Sequence, residues 1–230
     1  MARKPRLFVA DLPYHITQRG NNKNQIFFTA EDYFFFFNVL KEAKAKYPCF
    51  IFGYCFMTNH FHLLIQPKEK NNISLLMKLL GAKYVRYVNK TYKRTGTLWE
   101  GRFKCCLIDE ELYFLACLHY IEMNPVRAGI VNSPELYPWS SYRFRAFGEK
   151  NSILDAGAWY NSLGSNAQER QIRYRKFFQN FIPESTTTLI REMTNKGGMI
   201  GSALFKEKIQ ETTGREIIFR RPGRPKKEEK

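Results

Sequence analysis

The chain has 230 residues, of which 44% are hydrophobic, enough for a buried core in one large domain or in a catalytic domain with a smaller appendage. Its formal net charge of +16 and isoelectric point near 9.7, with 16% aromatic residues, point to a polyanionic partner, and to nucleic acid before a membrane surface. No apolar stretch is long enough to span a bilayer, and MARKPRLFVADLP lacks the apolar segment of a signal peptide, so a cytoplasmic protein with no membrane partner is expected.

LPYHITQRG reads as a strand that ends in the turn signal RGNN. TAEDYFFFFNVLKEAKAKY reads as a helix, with Thr29 at the cap and Glu31 and Asp32 in its first turn. CFIFGYCFM and HFHLLIQP follow as adjacent strands separated by Thr58 and Asn59. Asn72 is placed as the cap of a second helix, ISLLMKLLGAKYVRYVNKTYK, whose polar face is basic. RTGTLWEG is a loop and RFKCCLI a strand. DEELYFLACLHYIEMN is expected to be a helix capped by Asp109, with Glu110 and Glu111 at the positive end of its dipole, stopping near Asn124 because Pro125 follows. Beyond PELYPWSSYRFRAFG, two segments look helical, QERQIRYRKFFQNF and GSALFKEKIQETTG. A polar stretch containing Pro183 and Gly197-Gly198 separates them. The order of elements predicts an α+β fold, a mainly antiparallel sheet with helices packed on it, plus a helical C-terminal extension. The five cysteines show no metal-binding spacing and are expected to be reduced core residues.

Two of the four histidines, His60 and His62, stand one residue apart in the apolar run YCFMTNHFHLLIQP. On a strand they share a face, while Phe61 turns into the opposite layer. Such a pair can contribute to a divalent-cation site but cannot complete it, and by itself it fits ordinary strand histidines better. Tyr120 and Asn124 are four residues apart, on one face of a helix. A phenol can act as a nucleophile and an amide oxygen can ligate a hard ion, although Tyr120 alone fits a packed helix aromatic better.

The segments YHITQRGNN, YCFMTNHFHLLIQP, LWEGRFK, YIEMNPVRAG and YPWSSYR occur in order over roughly Arg6 to Gly148. In order and spacing they resemble the REP-associated tyrosine transposases, bacterial relatives of the single-tyrosine HUH transposases of insertion sequences. In the HUH name, U is a bulky hydrophobic residue, which Phe61 matches. The resemblance implies a ferredoxin-like or RRM-like HUH fold, with His60, His62 and Asn124 as ligands of Mg²⁺ or Mn²⁺ and Tyr120 as the nucleophile. It further implies cleavage and rejoining of single-stranded or hairpin DNA of the REP type through a 5′-phosphotyrosine, by a monomer or a homodimer. Two other readings stay open: a catalytically silent DNA-binding regulator of the same fold, and a water-using phosphodiesterase.

For DNA contact, Lys83, Arg86 and Lys90 lie on the second helix among Tyr84, Tyr87 and Tyr92, a composition that suits a single-strand path or a solvated basic face over a tyrosine core. Arg102 is a further contact candidate, and Trp99 is expected to pack. The tail RRPGRPKK resembles an AT-hook, with Arg221 and Arg224 as minor-groove candidates, although Pro222 replaces the first arginine of the usual core. The expected organisation is a catalytic domain over 1–148, a helical extension over 149–214, and a basic tail over 215–230.

Overall fold

A computed structural model describes residues 8–109, 113–180 and 182–214. The first half follows the predicted order: β1 (Tyr14–Arg19), α1 (Ala30–Lys46), β2 (Cys49–Met57), β3 (His60–Pro67), α2 (Asn72–Thr91) and β4 (Lys104–Ile108). It continues through α3 (Phe114–Glu122), α4 (Asn124–Arg127), α5 (Tyr142–Phe147), α6 (Ala158–Asn161), α7 (Ala167–Gln179), α8 (Glu184–Lys196), β5 (Met199–Ile200) and α9 (Ala203–Thr213). The strands form one sheet in the order β2-β3-β1-β4-β5, antiparallel except for the parallel β4–β5 pair. The α+β expectation holds. Among the described residues no helix is long and apolar enough to cross a membrane.

Alternation along the strands divides the core into two layers. Ile16, Phe61, Leu63 and Ile65 pack under α1 and α2 with Phe36, Leu40, Leu80 and Tyr84. Leu64, Cys55, Cys106 and Ile108 face the other way and meet Leu118 and Ile121 of α3. Gly53, at a register shift in β2, marks the closest approach, since a Cβ there would lie 2.4 Å from Leu118 Cδ1. All five cysteines are free, four of them buried and Cys105 partly so.

Several helix boundaries differ from expectation. Thr29 does sit at the cap of α1, and the Asp32 carboxylate accepts from the backbone N–H groups of Thr29 and Phe28. The cap position of α2 is Asn71, not Asn72, whose side chain donates instead to Pro48 O at 2.8 Å. Tyr113, not Asp109, holds the cap position of α3, and Glu110 and Glu111 lie outside the described residues. Asp109 closes β4: its N–H donates to Ile200 O, and its carboxylate accepts from the N–H of Ser202 at the start of α9. The end of α3 at Glu122 does meet the expected stop near Asn124, but Pro125 is followed by helix rather than loop, since after the turn at Met123 the chain makes one more turn as α4.

The largest difference is in the expected polar linker. It contains α8, whose three consecutive threonines, Thr186 to Thr188, depress helix propensity. Tertiary packing overrides that bias by burying Thr187, Ile190 and Thr194, and Gly197 ends the helix in the left-handed region. The C-terminal segment is helical as expected, and it also supplies the sheet with β5.

Candidate active site

His60 and His62 project from β3 onto the face covered by α3, with ring centroids 5.0 Å apart. Phe61 between them is fully buried in the other layer against Phe36 and Trp99. Tyr120 reaches the same place from α3. Its ring meets His62 edge-on at 5.8 Å and His15 at 5.6 Å, and the Arg127 guanidinium lies 4.7 Å from its centre. Tyr120 is 5% exposed. Asn124 donates from Nδ2 to the carbonyl oxygens of Tyr120 and Ile121, at 2.7 and 3.4 Å, which leaves Oδ1 as the end able to meet a ligand.

These side chains line one cleft of about 560 Å³ together with His15, Arg19, Glu100, Arg102, Lys104, Arg127, Arg191, Thr194 and Asn195. Five of its residues are cationic and one is acidic, which suits an anionic chain. Lys104 Nζ donates to Asn195 Oδ1 at 2.9 Å, tying β4 to α8 along the rim.

Hydrogen bonds set the histidine rings. Asn59 Nδ2 donates to Lys23 O at 3.0 Å, so its Oδ1 is the atom that faces His60 Nδ1, 2.6 Å away. His60 Nδ1 therefore carries a hydrogen and Nε2 a lone pair. His62 Nδ1 lies 2.8 Å from His15 Nε2, and His15 Nδ1 lies 2.8 Å from Thr194 Oγ1. Burial holds all three imidazoles neutral: His15 is lowered to about 3, His60 to about 4 with Arg19 adding to the effect, and His62 is lowered well below its ordinary value by burial, with Arg19 and Arg127 among the groups that add to it.

The donor set fits a divalent cation. His62 Nε2 is buried and has no hydrogen-bond partner, an arrangement that costs free energy unless a ligand occupies it. Among the described residues no group of three His, Cys, Asp or Glu is placed to hold one ion, since His15 meets the other nitrogen of His62, and the amide of Asn124 borders the same cleft as a donor of another type.

The sequence model of the family described as Transposase IS200 like matches residues 8–124. The chain belongs to this family. A Haemophilus influenzae protein named as a REP-associated tyrosine transposase is 28% identical over 118 residues, spanning 46% of this chain. The chain covers 66% of that relative's length, just under two thirds. Among solved structures, a REP-associated tyrosine transposase bound to a REP hairpin shares the fold, with a TM-score of 0.55 at 18% identity over 68% of this chain and 93% of that one.

Of the residues singled out in the sequence, His60, His62, Tyr120, Asn124 and Arg102 come together in this IS200-like cleft. Lys83, Arg86 and Lys90 are exposed on α2, in the opposite layer, and Lys83 is paired with Glu42. The tyrosines beside them belong to the core. Tyr84 donates to Ile26 O, and Tyr87 and Tyr92 donate to the buried Asp32 carboxylate. Trp99 packs as expected. Arg221 and Arg224 lie outside the described residues. Sequence reasoning missed His15, Asn59, Arg127, Arg191 and Thr194. The single histidine of the predicted first strand, His15, was the one available signal, and only strand pairing shows which imidazole it meets.

Proposed function

We propose that this transposase-family protein cleaves and rejoins single-stranded or hairpin DNA through a covalent bond to Tyr120. The observation that carries the reading is the unpartnered, buried Nε2 of His62 beside the Tyr120 ring in a cationic cleft. His60, His62 and Asn124 would hold Mg²⁺ or Mn²⁺, which supplies charge neutralisation and alignment at the scissile phosphate.

The chain's own residues do the rest. Arg19, Arg102 and Arg191 border the cleft and bind the phosphates on either side of the scissile one. Tyr120 Oη attacks phosphorus, the Oη–P bond forms, and the P–O3′ bond breaks. The phenolic proton leaves to solvent and the 3′ oxygen takes one up, so DNA ends as a free 3′-OH and a 5′-phosphotyrosine. Arg127 over the Tyr120 ring favours the phenolate that develops on the way. The tyrosyl phosphate keeps the energy of the phosphodiester, so a second 3′-OH can reverse the reaction on a new strand without ATP. Tyr120 and the histidines of one chain already stand together, which supports cleavage within a single subunit.

A labelled single-stranded hairpin incubated with the protein and Mg²⁺ or Mn²⁺ tests this on a denaturing gel. The expected result is a covalent protein–DNA band that disappears in Tyr120→Phe and on chelation. Cleavage that persists in Tyr120→Phe with no adduct would instead mark a water-using phosphodiesterase. Tight binding with no cleavage would mark a regulator. Mixing Tyr120→Phe with His60→Ala should restore no activity.

A further inference from the structure

Thr194 of α8 stands at the end of a hydrogen-bond chain that reaches the cleft. Its hydroxyl donates to Ile190 O at 2.7 Å, one turn back along the helix. A hydroxyl has a single proton, so toward His15 Nδ1, at 2.8 Å, Thr194 Oγ1 can only accept. His15 Nδ1 therefore carries the hydrogen, and the Nε2 of that neutral ring is bare. The bare nitrogen faces His62 Nδ1 at 2.8 Å, so His62 carries its hydrogen on Nδ1. Its Nε2 keeps the lone pair, buried and unpartnered in the wall of the cleft.

We propose that Thr194 is a positioning residue that, through His15, selects Nε2 of His62 as the free donor atom of the site. The inference rests on reading His60 and His62 as cation ligands. It gives α8 a role in the chemistry of a site whose ligands all lie between β3 and α4. Without the Thr194 acceptor, both protons can move by one nitrogen. His15 then donates from Nε2 to His62 Nδ1, and His62 carries a hydrogen on Nε2, where no lone pair remains for a metal. Outer partners of this kind commonly change metal affinity by roughly 10- to 100-fold.

Thr194→Val removes the hydroxyl at nearly constant shape, and Thr194→Ser retains it. In metal-free ¹⁵N-labelled protein, long-range ¹H–¹⁵N spectra of the imidazoles report which nitrogen is protonated. Wild type and Thr194→Ser should show His62 protonated on Nδ1, and Thr194→Val should show population moving to Nε2–H. Calorimetric titration with Mn²⁺ should weaken by roughly 10- to 100-fold in Thr194→Val and stay near wild type in Thr194→Ser. A hydrogen on His62 Nε2 in the wild type overturns the proposal without any variant. An unchanged tautomer in folded Thr194→Val also overturns it, as does a Ser variant impaired as much as Val, which would mark a packing role. His60→Ala and His62→Ala that leave Mn²⁺ binding unchanged would overturn the ligand reading itself, while the metal-free spectra still decide what Thr194 does to His62.

Discussion

At the residue scale, the two cleft histidines are aimed by different neighbours. His60 depends on Asn59, whose amide is turned by Lys23 O, and His62 depends on His15 and Thr194. Asn59→Ala should leave the fold intact but let the His60 ring exchange its proton between nitrogens. Mn²⁺ affinity should then fall by roughly tenfold or more, while Asn59→Asp, which keeps an acceptor, should bind at least as well as the wild type. Titration calorimetry on the metal-free protein checks both, and an Ala variant with wild-type affinity would show that Asn59 does not orient His60. The motif HFH names the ligand candidates, yet it carries no information about which nitrogen of each ring is available. That information sits in a neighbour one residue away for His60 and in a helix more than a hundred residues away for His62.

At the element scale, the RGNN turn after β1 connects the site to the rest of the sheet. Gly20 N–H donates to Asn59 O, Asn21 N–H to Leu98 O, and Lys23 N–H to Gly20 O. The turn thus holds the β2–β3 hairpin, the LWEG loop and the Lys23 carbonyl in one arrangement. A Cβ on Gly20 would lie 2.2 Å from the backbone oxygen of Asn24, which no rotamer change can relieve. Gly20→Ala should therefore destabilise the protein by about 1–3 kcal/mol in urea unfolding, and should weaken Mn²⁺ binding because Lys23 O shifts away from Asn59. An Ala variant as stable as the wild type would mean that the turn relaxes freely. Most elements were legible before the structure because hydrophobic periodicity and turn residues agreed. The helix α8 was not legible, since threonine-rich composition argues against helix and only its burial against β4 and α3 reverses that preference.

At the scale of the whole molecule, Glu122 at the end of α3 fastens the Tyr120 helix to the segments that follow. It is fully buried and accepts hydrogen bonds from Ser141 at 2.5 Å and Tyr174 of α7 at 2.7 Å, with Arg145 of α5 3.9 Å away. Burial raises its carboxyl to about 7, with Arg145 and the two hydroxyls opposing. A carboxyl raised in the folded state contributes stability that is fully present below its unfolded value near 4.5 and is lost as pH rises through about 7. The wild type should therefore lose on the order of 2–3 kcal/mol relative to Glu122→Gln between pH 5 and 7.5. His119, lowered by burial to about 4, acts in the opposite sense on the acid side, so the difference between the two proteins, followed by thermal melts, isolates Glu122. A constant difference across that range would show that Glu122 is ionised throughout. The sequence by itself determined strands β1 to β4, the helices α1, α2 and α3, the shared face of His60 and His62, and, through the family resemblance, the candidate set completed by Tyr120 and Asn124. The elements and the shared histidine face follow from periodicity and spacing within single elements, which are local properties of the chain, and the roles of Tyr120 and Asn124 were implied by the family resemblance. Only the tertiary structure decided that His15 and Thr194 stand behind His62, that α2 and its basic residues lie on the layer away from the cleft, and that the C-terminal segment completes both the sheet and the site. Each depends on contacts between residues far apart in sequence, and those arise only when buried surface and paired hydrogen bonds outweigh local preference.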